Sequence, residues 1–240
     1  MARQHRKTPI RASVSEAQVT SVPSNGDSFQ PPPPYPVTYE AFLDWADEDT
    51  HAEWVDGRIV MTSPANLRHQ LVDQLLIAVV STFVEIHQLG LTIMPPFQMK
   101  LSRSGREPDL VFIRKDRLEK LRNTFLDGPA DLVLEIVSPD SVTRDNVEKP
   151  REYQEAAVPE FWRIDPAKKI ASFFQLDPDG TYREVVVGQD GIYRSRELPG
   201  FWLNVAWLWQ DPLPSSARVL STIDRDAFLR YVQESADRAL

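Results

Sequence analysis

The amino-acid sequence predicts an α/β domain in which one mixed β-sheet is flanked by helices. Between Asn66 and Gln88 the apolar residues recur at helical spacing. After this stretch the pattern changes to short apolar runs bounded by glycine, proline and aspartate, which is typical of β-strands. A mostly polar segment of helical character follows and leads into further strands, so helices and strands alternate along the chain.

The first 36 residues differ in composition from the rest of the chain. They are rich in serine, glutamine, asparagine and proline, and they end in PPPPYP, which favours an extended polyproline conformation. We therefore predict a disordered, proline-rich tail over residues 1–36 and a folded domain over residues 37–240 that ends in a helix.

Two local signals organise the beginning of this domain. Thr38 is a suitable N-cap for a short helix that carries Phe42 and Trp45. Further along, Asp56-Gly57 lies between two short apolar runs, and this dipeptide is a strong signal for a β-hairpin.

The long helix predicted between residues 66 and 88 presents one apolar stripe. Gly90 follows the helix as a natural C-cap. The stripe comprises Leu67, Leu71, Leu75, Ala78, Val79, Thr82, Phe83 and Ile86.

The strands after this helix are predicted from the runs LTIMPPFQMKL, PDLVFIR and ADLVLEIVS. The run LVLEIV is apolar on both faces, which indicates a central strand covered on both sides. The segment SVTRDNVEKPREYQEAAV is predicted to be helical. FWRID, KIASFFQL and YREVVVG then predict a meander, and a last amphipathic helix begins at Ile223.

Composition and charge exclude several classes of protein. There is no cysteine, so disulfides, thiolate zinc sites and a cysteine nucleophile are excluded. No apolar run reaches the roughly 18–20 residues that span a bilayer, and no secretory signal is recognisable, so we expect a cytoplasmic protein without a membrane partner. The net charge of −8 argues against general nucleic-acid binding. Residues 100–122 nevertheless hold eight Lys or Arg against four Asp or Glu, which suits either a solvated face or a nucleic-acid contact.

Two acidic residues stand where predicted strands would hold them. Asp109 follows Pro108 at the head of LVFI, and Glu135 lies within LVLEIV. A charge in such a run is costly unless it is paired or bound to a metal. One acid alone would favour an exposed edge or a structural salt bridge, whereas two acids on adjacent strands suit Mg²⁺, which prefers oxygen ligands.

Lys149 is the cationic candidate near this pair, because it follows Glu135 by fourteen residues in the predicted helical segment. If that segment is helical throughout, Asp145, Lys149 and Tyr153 share one face. Pro150 disfavours the α conformation in the residue before it, so the helix is alternatively expected to begin at Pro150 with Lys149 as a cap.

These motifs resemble the large bacterial family of "putative restriction endonucleases" within the PD-(D/E)XK nuclease superfamily. The resemblance is carried by EPDLVFI and by ADLVLEIVSPDSVTRDNVEKPREYQEAAVPEFWRID, with AEWVDGRIVMTSP and His69 upstream and RELPGFWLNV downstream. It covers about Val37 to Trp207. The superfamily pattern has a lysine two residues after the glutamate, where this chain has Val137. The resemblance implies that the lysine has moved to the following helix, which matches Lys149.

The resemblance implies a restriction-endonuclease-like fold and a metal-dependent endonuclease that hydrolyses DNA phosphodiester bonds. It implies Mg²⁺ or Mn²⁺ held by Asp109, Glu135 and Glu53, with Lys149 positioning water and His69 as a further catalytic residue. DNA is the expected substrate, and a homodimer is consistent with nucleases that cut duplexes.

Several alternatives remain open from the sequence. Glu53 could pair with Arg58 across the hairpin, His69 could be a surface or core histidine, and Tyr153 could only pack. At the level of function, the acidic balance and Pro150 favour a catalytically decayed nuclease fold that serves as a binding or regulatory module. A purely structural protein would require the two strand acids to be salt-bridged rather than convergent.

Overall fold

The computed structural model describes residues 31–47, 50–62, 65–138 and 144–237. Contacts from Pro32 onward cluster into one unit. Most of the predicted tail lies outside the described residues, so the boundary at residue 37 stays a prediction.

The described residues form five α-helices, thirteen β-strands and short helical turns of other types. The α-helices are α1 (Tyr39–Trp45), α2 (Leu67–Ile86), α3 (Lys149–Glu155), α4 (Ser216–Ile223) and α5 (Arg225–Asp237). The strands are β1 (Ala52–Val55), β2 (Arg58–Met61), β3 (Gly90–Ile93), β4 (Gln98–Lys100), β5 (Ser104–Arg106), β6 (Leu110–Arg114), β7 (Phe125–Asp127), β8 (Leu132–Ile136), β9 (Glu160–Asp165), β10 (Ile170–Leu176), β11 (Tyr182–Glu184), β12 (Ile192–Arg194) and β13 (Trp202–Asn204). The other turns are 3₁₀ helices at Lys115–Lys120 and Val205–Trp209 and a π-helix at Arg144–Glu148.

The strands are divided among three sheets. The largest has the order β11-β10-β9-β8-β6-β3, in which β8 and β9 are parallel and the other pairs are antiparallel. A second sheet has the order β2-β1-β5-β4-β7, with β4 and β7 parallel, and β12 pairs with β13. The predicted class, an α/β fold with mixed sheet and flanking helices, is confirmed, although the strands form three sheets rather than one.

Strand β8 separates two hydrophobic cores. Leu134 and Ile136 belong to the core that contains α2, whereas Val133 belongs to the core that contains Tyr153 of α3. All five residues of β8 are buried, as predicted for a central strand. Because successive side chains of a strand point to opposite faces, Glu135 points toward α3.

The predicted local signals near the N-terminus are confirmed. The Thr38 hydroxyl accepts a hydrogen bond from the Ala41 amide at 3.1 Å and caps α1. Asp56 and Gly57 join β1 to β2 with φ values of 48° and 77°. Two positive φ values are what a type I′ hairpin turn requires, and this explains the Asp-Gly pair.

The predicted apolar stripe of α2 is wrong at its N-terminal end. Leu67 and Leu71 are 74% and 41% exposed, whereas Val72 and Leu76 are buried in the core. The helix is long and apolar enough, by length and composition, to cross a membrane, and apolar residues lie on most of its sides. Spacing alone therefore does not decide which side of α2 meets the sheet.

Gly90 does not cap α2, contrary to the prediction. The helix ends at the C-cap His87, and Gln88 takes the left-handed conformation with φ of 51°. Gly90 is the first residue of β3, where a Cβ atom would collide with the Ile113 carbonyl oxygen. The close approach of β3 to β6 is the reason for this glycine.

The C-terminal half follows the predicted order. Strands β9, β10 and β11 form the expected antiparallel meander. The predicted last helix corresponds to α5, which begins at Arg225, and α4 precedes it as a separate helix that the sequence analysis did not predict.

Candidate functional site

Glu135 is a buried carboxylate in the central strand β8, and its side chain is 3% exposed. Its Oε2 atom accepts a hydrogen bond from Lys149 Nζ at 2.7 Å. Its Oε1 atom accepts a hydrogen bond from the Tyr153 hydroxyl. Both donors come from α3, so this helix holds the Glu135 carboxylate from one side of the sheet.

Lys149 reaches Glu135 because the chain enters α3 through the π-helix at 144–148. The α-helix begins at Lys149, one residue before the start predicted from Pro150. Proline is tolerated at this position because the first N–H groups of a helix have no partner within it. Lys149 Nζ also lies 3.3 Å from Asp145 and 3.4 Å from Glu53. Three carboxylates from separate parts of the chain therefore converge on one ammonium group.

Asp109 lies at the bend before β6 and is partly exposed. The strand register pairs Leu110 with Leu134, and its extension by one residue sets Asp109 opposite Glu135. The Asp109 Oδ2 atom accepts a hydrogen bond from the Ile136 amide at 2.6 Å. Residues opposite each other on antiparallel strands present neighbouring side chains, so the two strand acids lie close together.

Glu53 comes to this place from the second sheet and is 1% exposed. Its Oε2 atom accepts a hydrogen bond at 2.8 Å from Nη1 of Arg106, which is fully buried and also donates to Glu152. Arg58 instead lies over the ring of Tyr35. The alternative in which Glu53 pairs with Arg58 across the hairpin is therefore wrong.

Around Lys149, acidic side chains outnumber cationic side chains. Four carboxylates are present with two cationic side chains, Lys149 and Arg106, and Arg106 is also shared with Glu152. We refer to these four carboxylates as the carboxylate cluster, which consists of Glu53, Asp109, Glu135 and Asp145.

The imbalance perturbs the titration of the cluster. Burial, together with the charges of the surrounding carboxylates, raises the pKa of Glu135 to about 8, although Lys149 acts to lower it. Burial would also raise the pKa of Glu53, but Lys149 and Arg106 outweigh burial and lower it. Burial opposes the charge on Lys149, yet the carboxylates, Glu135 first, raise the pKa of Lys149. Lys149 is therefore a permanent cation at neutral pH.

His69 and Asp73 lie one turn apart on α2 and face Asp109 from the other side. His69 is buried, and its Nε2 atom lies 3.6 Å from Asp109 Oδ1. One ligand atom from each of the three residues lies within 4.8 Å of the others. Burial would lower the pKa of His69, but the neighbouring Asp109 carboxylate raises it. Burial, together with the charge of Asp109, raises the pKa of Asp73 to about 7.

The structure thus brings Asp109, Glu135, Lys149 and Glu53 together, and it places His69 against Asp109 rather than against the lysine. Their roles in catalysis remain predictions.

Three features of this site were not predicted from the sequence. Arg106 belongs to a basic segment of the sequence, and nothing adjacent in the chain indicates that it is buried between Glu53 and Glu152. Asp73 follows His69 by four residues, the spacing that places two side chains on one helix face. Tyr153 was expected on the face of Lys149, but its hydrogen bond to Glu135 was not expected.

The basic excess in residues 100–122 does not form a surface of unpaired cations. Five of the eight cations have carboxylate partners within 4 Å. These are Arg103 with Asp56, Arg106 with Glu53, Arg114 with Asp116, Arg117 with Asp131, and Arg122 with Asp127. Most of the local charge is therefore neutralised within the protein.

The architecture is similar to a solved structure of nuclease-like fold. That structure, from Anabaena variabilis, is described as a putative nuclease belonging to DUF820. The two share 16% sequence identity with a TM-score of 0.62, over 72% of this chain and 98% of the other. At this identity the likeness shows the fold alone. A comparison with curated proteins finds no match.

The family is shown by sequence. Residues 39–206 match the Uma2 family, which is described as "Putative restriction endonuclease". The chain therefore belongs to this family, and the predicted resemblance is confirmed.

Proposed function

We propose that this protein is a Mg²⁺- or Mn²⁺-dependent endonuclease that hydrolyses phosphodiester bonds in DNA. The observation that carries the proposal is the convergence of Glu53 and Glu135 on Lys149, with Asp109 opposite Glu135 in register. Membership of a nuclease-like family supports the class of reaction.

The residues present fit a hard divalent cation. Carboxylate oxygens are the ligands that Mg²⁺ and Mn²⁺ prefer. The cluster has two more carboxylates than cationic side chains, and one divalent ion would offset the negative charge that these carboxylates carry once Glu135 has lost its proton. Asp109, Glu135 and Glu53 would hold the ion, which when bound supplies Lewis acidity that offsets the charge building on a phosphate oxygen.

Lys149 would act as a fixed positive charge beside this site. It stays protonated at neutral pH, so it cannot serve as a general base, but it can hold the attacking water or stabilise negative charge in the transition state. Tyr153 orients the Glu135 carboxylate, and the Ile136 amide orients that of Asp109. Arg106 has the same positioning role toward Glu53.

Metal titration tests the ligand assignment. Isothermal titration with Mg²⁺ and Mn²⁺ should show binding by the wild-type protein and its loss in Asp109→Ala. Asp131→Asn is a matched control, because Asp131 is a buried aspartate held by Arg117 outside the cluster. Equal metal binding by wild type and Asp109→Ala would count against the assignment.

A second candidate is a catalytically decayed member of the fold that acts as a binding or regulatory module. The pairing of most cations in residues 100–122 and the net charge of −8 favour it, because both weaken attraction to phosphates. Cleavage of plasmid and oligonucleotides in several metals separates the two. Cutting that disappears in Glu135→Ala would eliminate the decayed module, and the absence of cutting in every metal would eliminate the enzyme.

We further expect the protein to act in the cytoplasm. A homodimer would suit a nuclease that cuts both strands of a duplex, and sedimentation with and without DNA tests the oligomeric state.

A further inference from the structure

We propose that His69, Asp73 and Asp109 form a second cation site, which selects a transition-metal ion such as Zn²⁺ over Mg²⁺. We refer to these three residues as the α2 site. The inference rests on the proposed function only in that Asp109 would serve both the α2 site and the carboxylate cluster.

The geometry of the α2 site is set by a helix and a strand end. His69 and Asp73 occupy positions i and i+4 of α2 and therefore share one face. The start of α2 is fixed by Asn66, whose side chain accepts a hydrogen bond from the His69 amide at 3.0 Å. Asp109 is fixed in turn by the Ile136 amide. One ligand atom of each residue lies within 4.8 Å of the other two, which is close enough for all three to reach one ion.

Two polar atoms of this group lack hydrogen-bond partners. His69 is 6% exposed, and its Nδ1 atom and the buried Oδ1 atom of Asp73 have no hydrogen-bond partner among the described residues. Leaving such atoms unpaired is energetically unfavourable. A cation held by the Asp73 carboxylate would give that side chain the partner that the other described residues do not provide.

The chemistry of the donors predicts which ion binds. The α2 site offers one imidazole nitrogen and two carboxylates. Imidazole nitrogen suits Zn²⁺, Fe²⁺ and Ni²⁺, whereas Mg²⁺, Ca²⁺ and Mn²⁺ suit sites built from oxygen alone. The carboxylate cluster has only oxygen ligands, so the two sites should differ in selectivity although they share Asp109.

The competing account is a simple ion pair between His69 and Asp109, and the same helix contains a control for it. His87, near the end of α2, has its Nε2 atom 3.6 Å from Asp224, the same separation as in the His69–Asp109 pair. Among the described residues, His69 belongs to a group of three potential ligands whose atoms lie within 4.8 Å of one another, and His87 belongs to no such group. A metal should therefore perturb His69 and leave His87 unchanged.

Histidine NMR on the full-length, metal-free protein tests the proposal directly. The chain has four histidines, so the ring signals of ¹⁵N-histidine-labelled protein can be assigned by single substitutions. Titration with Zn²⁺ should shift the His69 ring nitrogens, and Asp73→Asn should abolish that shift. His87→Gln should leave the His69 response intact. A His69 signal that does not move with excess Zn²⁺, or that moves equally in Asp73→Asn, would overturn the proposal.

Calorimetry provides the second measurement. Asp73→Asn and His69→Gln should each weaken Zn²⁺ binding by about tenfold or more, with a smaller change for Mg²⁺. Both substitutions nearly preserve shape, and the thermal unfolding of each variant shows whether it folds. If the two variants fold and bind Zn²⁺ as tightly as the wild type, the α2 site does not exist.

The outcomes separate this inference from the proposed function. A protein that cuts no DNA but still shows the His69 shift would overturn the nuclease and retain the α2 site. A protein that cuts DNA with Mg²⁺ but shows no response at His69 would retain the nuclease and overturn the α2 site.

Discussion

Two glutamates on neighbouring strands of the central sheet are both buried, yet their surroundings differ completely. Glu160 of β9 is fully buried, and its Oε1 atom accepts hydrogen bonds from Trp162 at 2.6 Å and from Tyr193 at 2.7 Å. Its Oε2 atom accepts from the amides of Arg196 and Glu197, both at 2.8 Å. Each of these donors is neutral and is fixed by the fold.

Glu135 of β8 is instead surrounded by charge. It contacts the ammonium group of Lys149, and the charges of other carboxylates contribute to raising its pKa to about 8. Burial of an acid therefore does not by itself indicate function. A carboxylate satisfied by fixed neutral donors serves the fold, whereas buried carboxylates that outnumber their cations mark a candidate functional site.

The largest expected effect follows removal of Arg106, which is the main compensating cation for the acids of the second sheet and α3. Arg106→Met should lower the free energy of unfolding by about 3–5 kcal/mol, because Glu53 would keep only Lys149 as a cationic partner and Glu152 would lose its ion pair. Urea denaturation in EDTA measures the change. Arg103→Met removes an exposed ion pair to Asp56 and should leave stability essentially unchanged. Equal effects of the two substitutions would contradict the prediction.

The next effect concerns activity and tests the contrast between the two glutamates. Glu135→Gln should lower the rate of DNA cleavage by about 10²–10³-fold, the scale for losing one group that supports transition-state charge. Glu160→Gln should leave the rate per folded molecule unchanged. Single-turnover cleavage of a labelled duplex measures both, and a similar loss in the two variants would remove the distinction.

The free energy of unfolding should change in the opposite order: Glu160→Gln should lose more stability than Glu135→Gln. Glu160→Gln should cost about 1–3 kcal/mol, because an amide group would meet donors that now find an acceptor. Glu135→Gln should cost less, because the raised pKa of Glu135 means that the amide replaces a side chain that is already mostly uncharged at neutral pH. Denaturation midpoints in the absence of metal provide the comparison, and a more stable Glu160→Gln variant would be the contrary result.

The smallest expected effect is a pH dependence of metal affinity. The pKa of Glu135 is raised to about 8, so this group holds a proton at neutral pH, and a bound cation must displace that proton. Mg²⁺ affinity should therefore increase as the pH rises from 7 to 8, by up to about tenfold. In Glu135→Gln this increase should disappear. Calorimetry at both pH values measures it, and pH-independent binding by the wild type would be inconsistent with a proton on Glu135.

Local features of the fold were predicted well from the sequence. The Asp56-Gly57 turn and the central position of β8 follow from residues that are adjacent in the chain, so their signals lie within one short segment. The face of α2 was predicted wrongly because Leu67 and Leu71 are as apolar as the leucines that are buried. Nothing local distinguishes them, since the choice depends on where the sheet lies.

The candidate site was predicted only in part, because some of its contacts join residues that are close in the sequence and others join residues that are distant. Asp109, Glu135 and Lys149 lie within about forty residues of one another, in motifs that the sequence displays together. The partners of Glu53 depend on a contact between residues 53 positions apart, from Glu53 to Arg106, so the choice of Arg58 was a reasonable local alternative and was wrong. Asp73 becomes a candidate metal ligand only because the fold brings it close to Asp109, which belongs to a different part of the chain.

By itself, the sequence determined which segments become strands and helices and which acids lie in apolar surroundings, because these properties depend on neighbouring residues. Only the tertiary structure decided that Lys149 forms ion pairs with three carboxylates and that Arg106 forms an ion pair with Glu53. It also decided that Asp109 lies between two groups of potential ligands. The physical reason is that electrostatic interactions depend on distance in space and on burial. Both quantities arise when the sheets and helices pack together, and neither can be read along the chain.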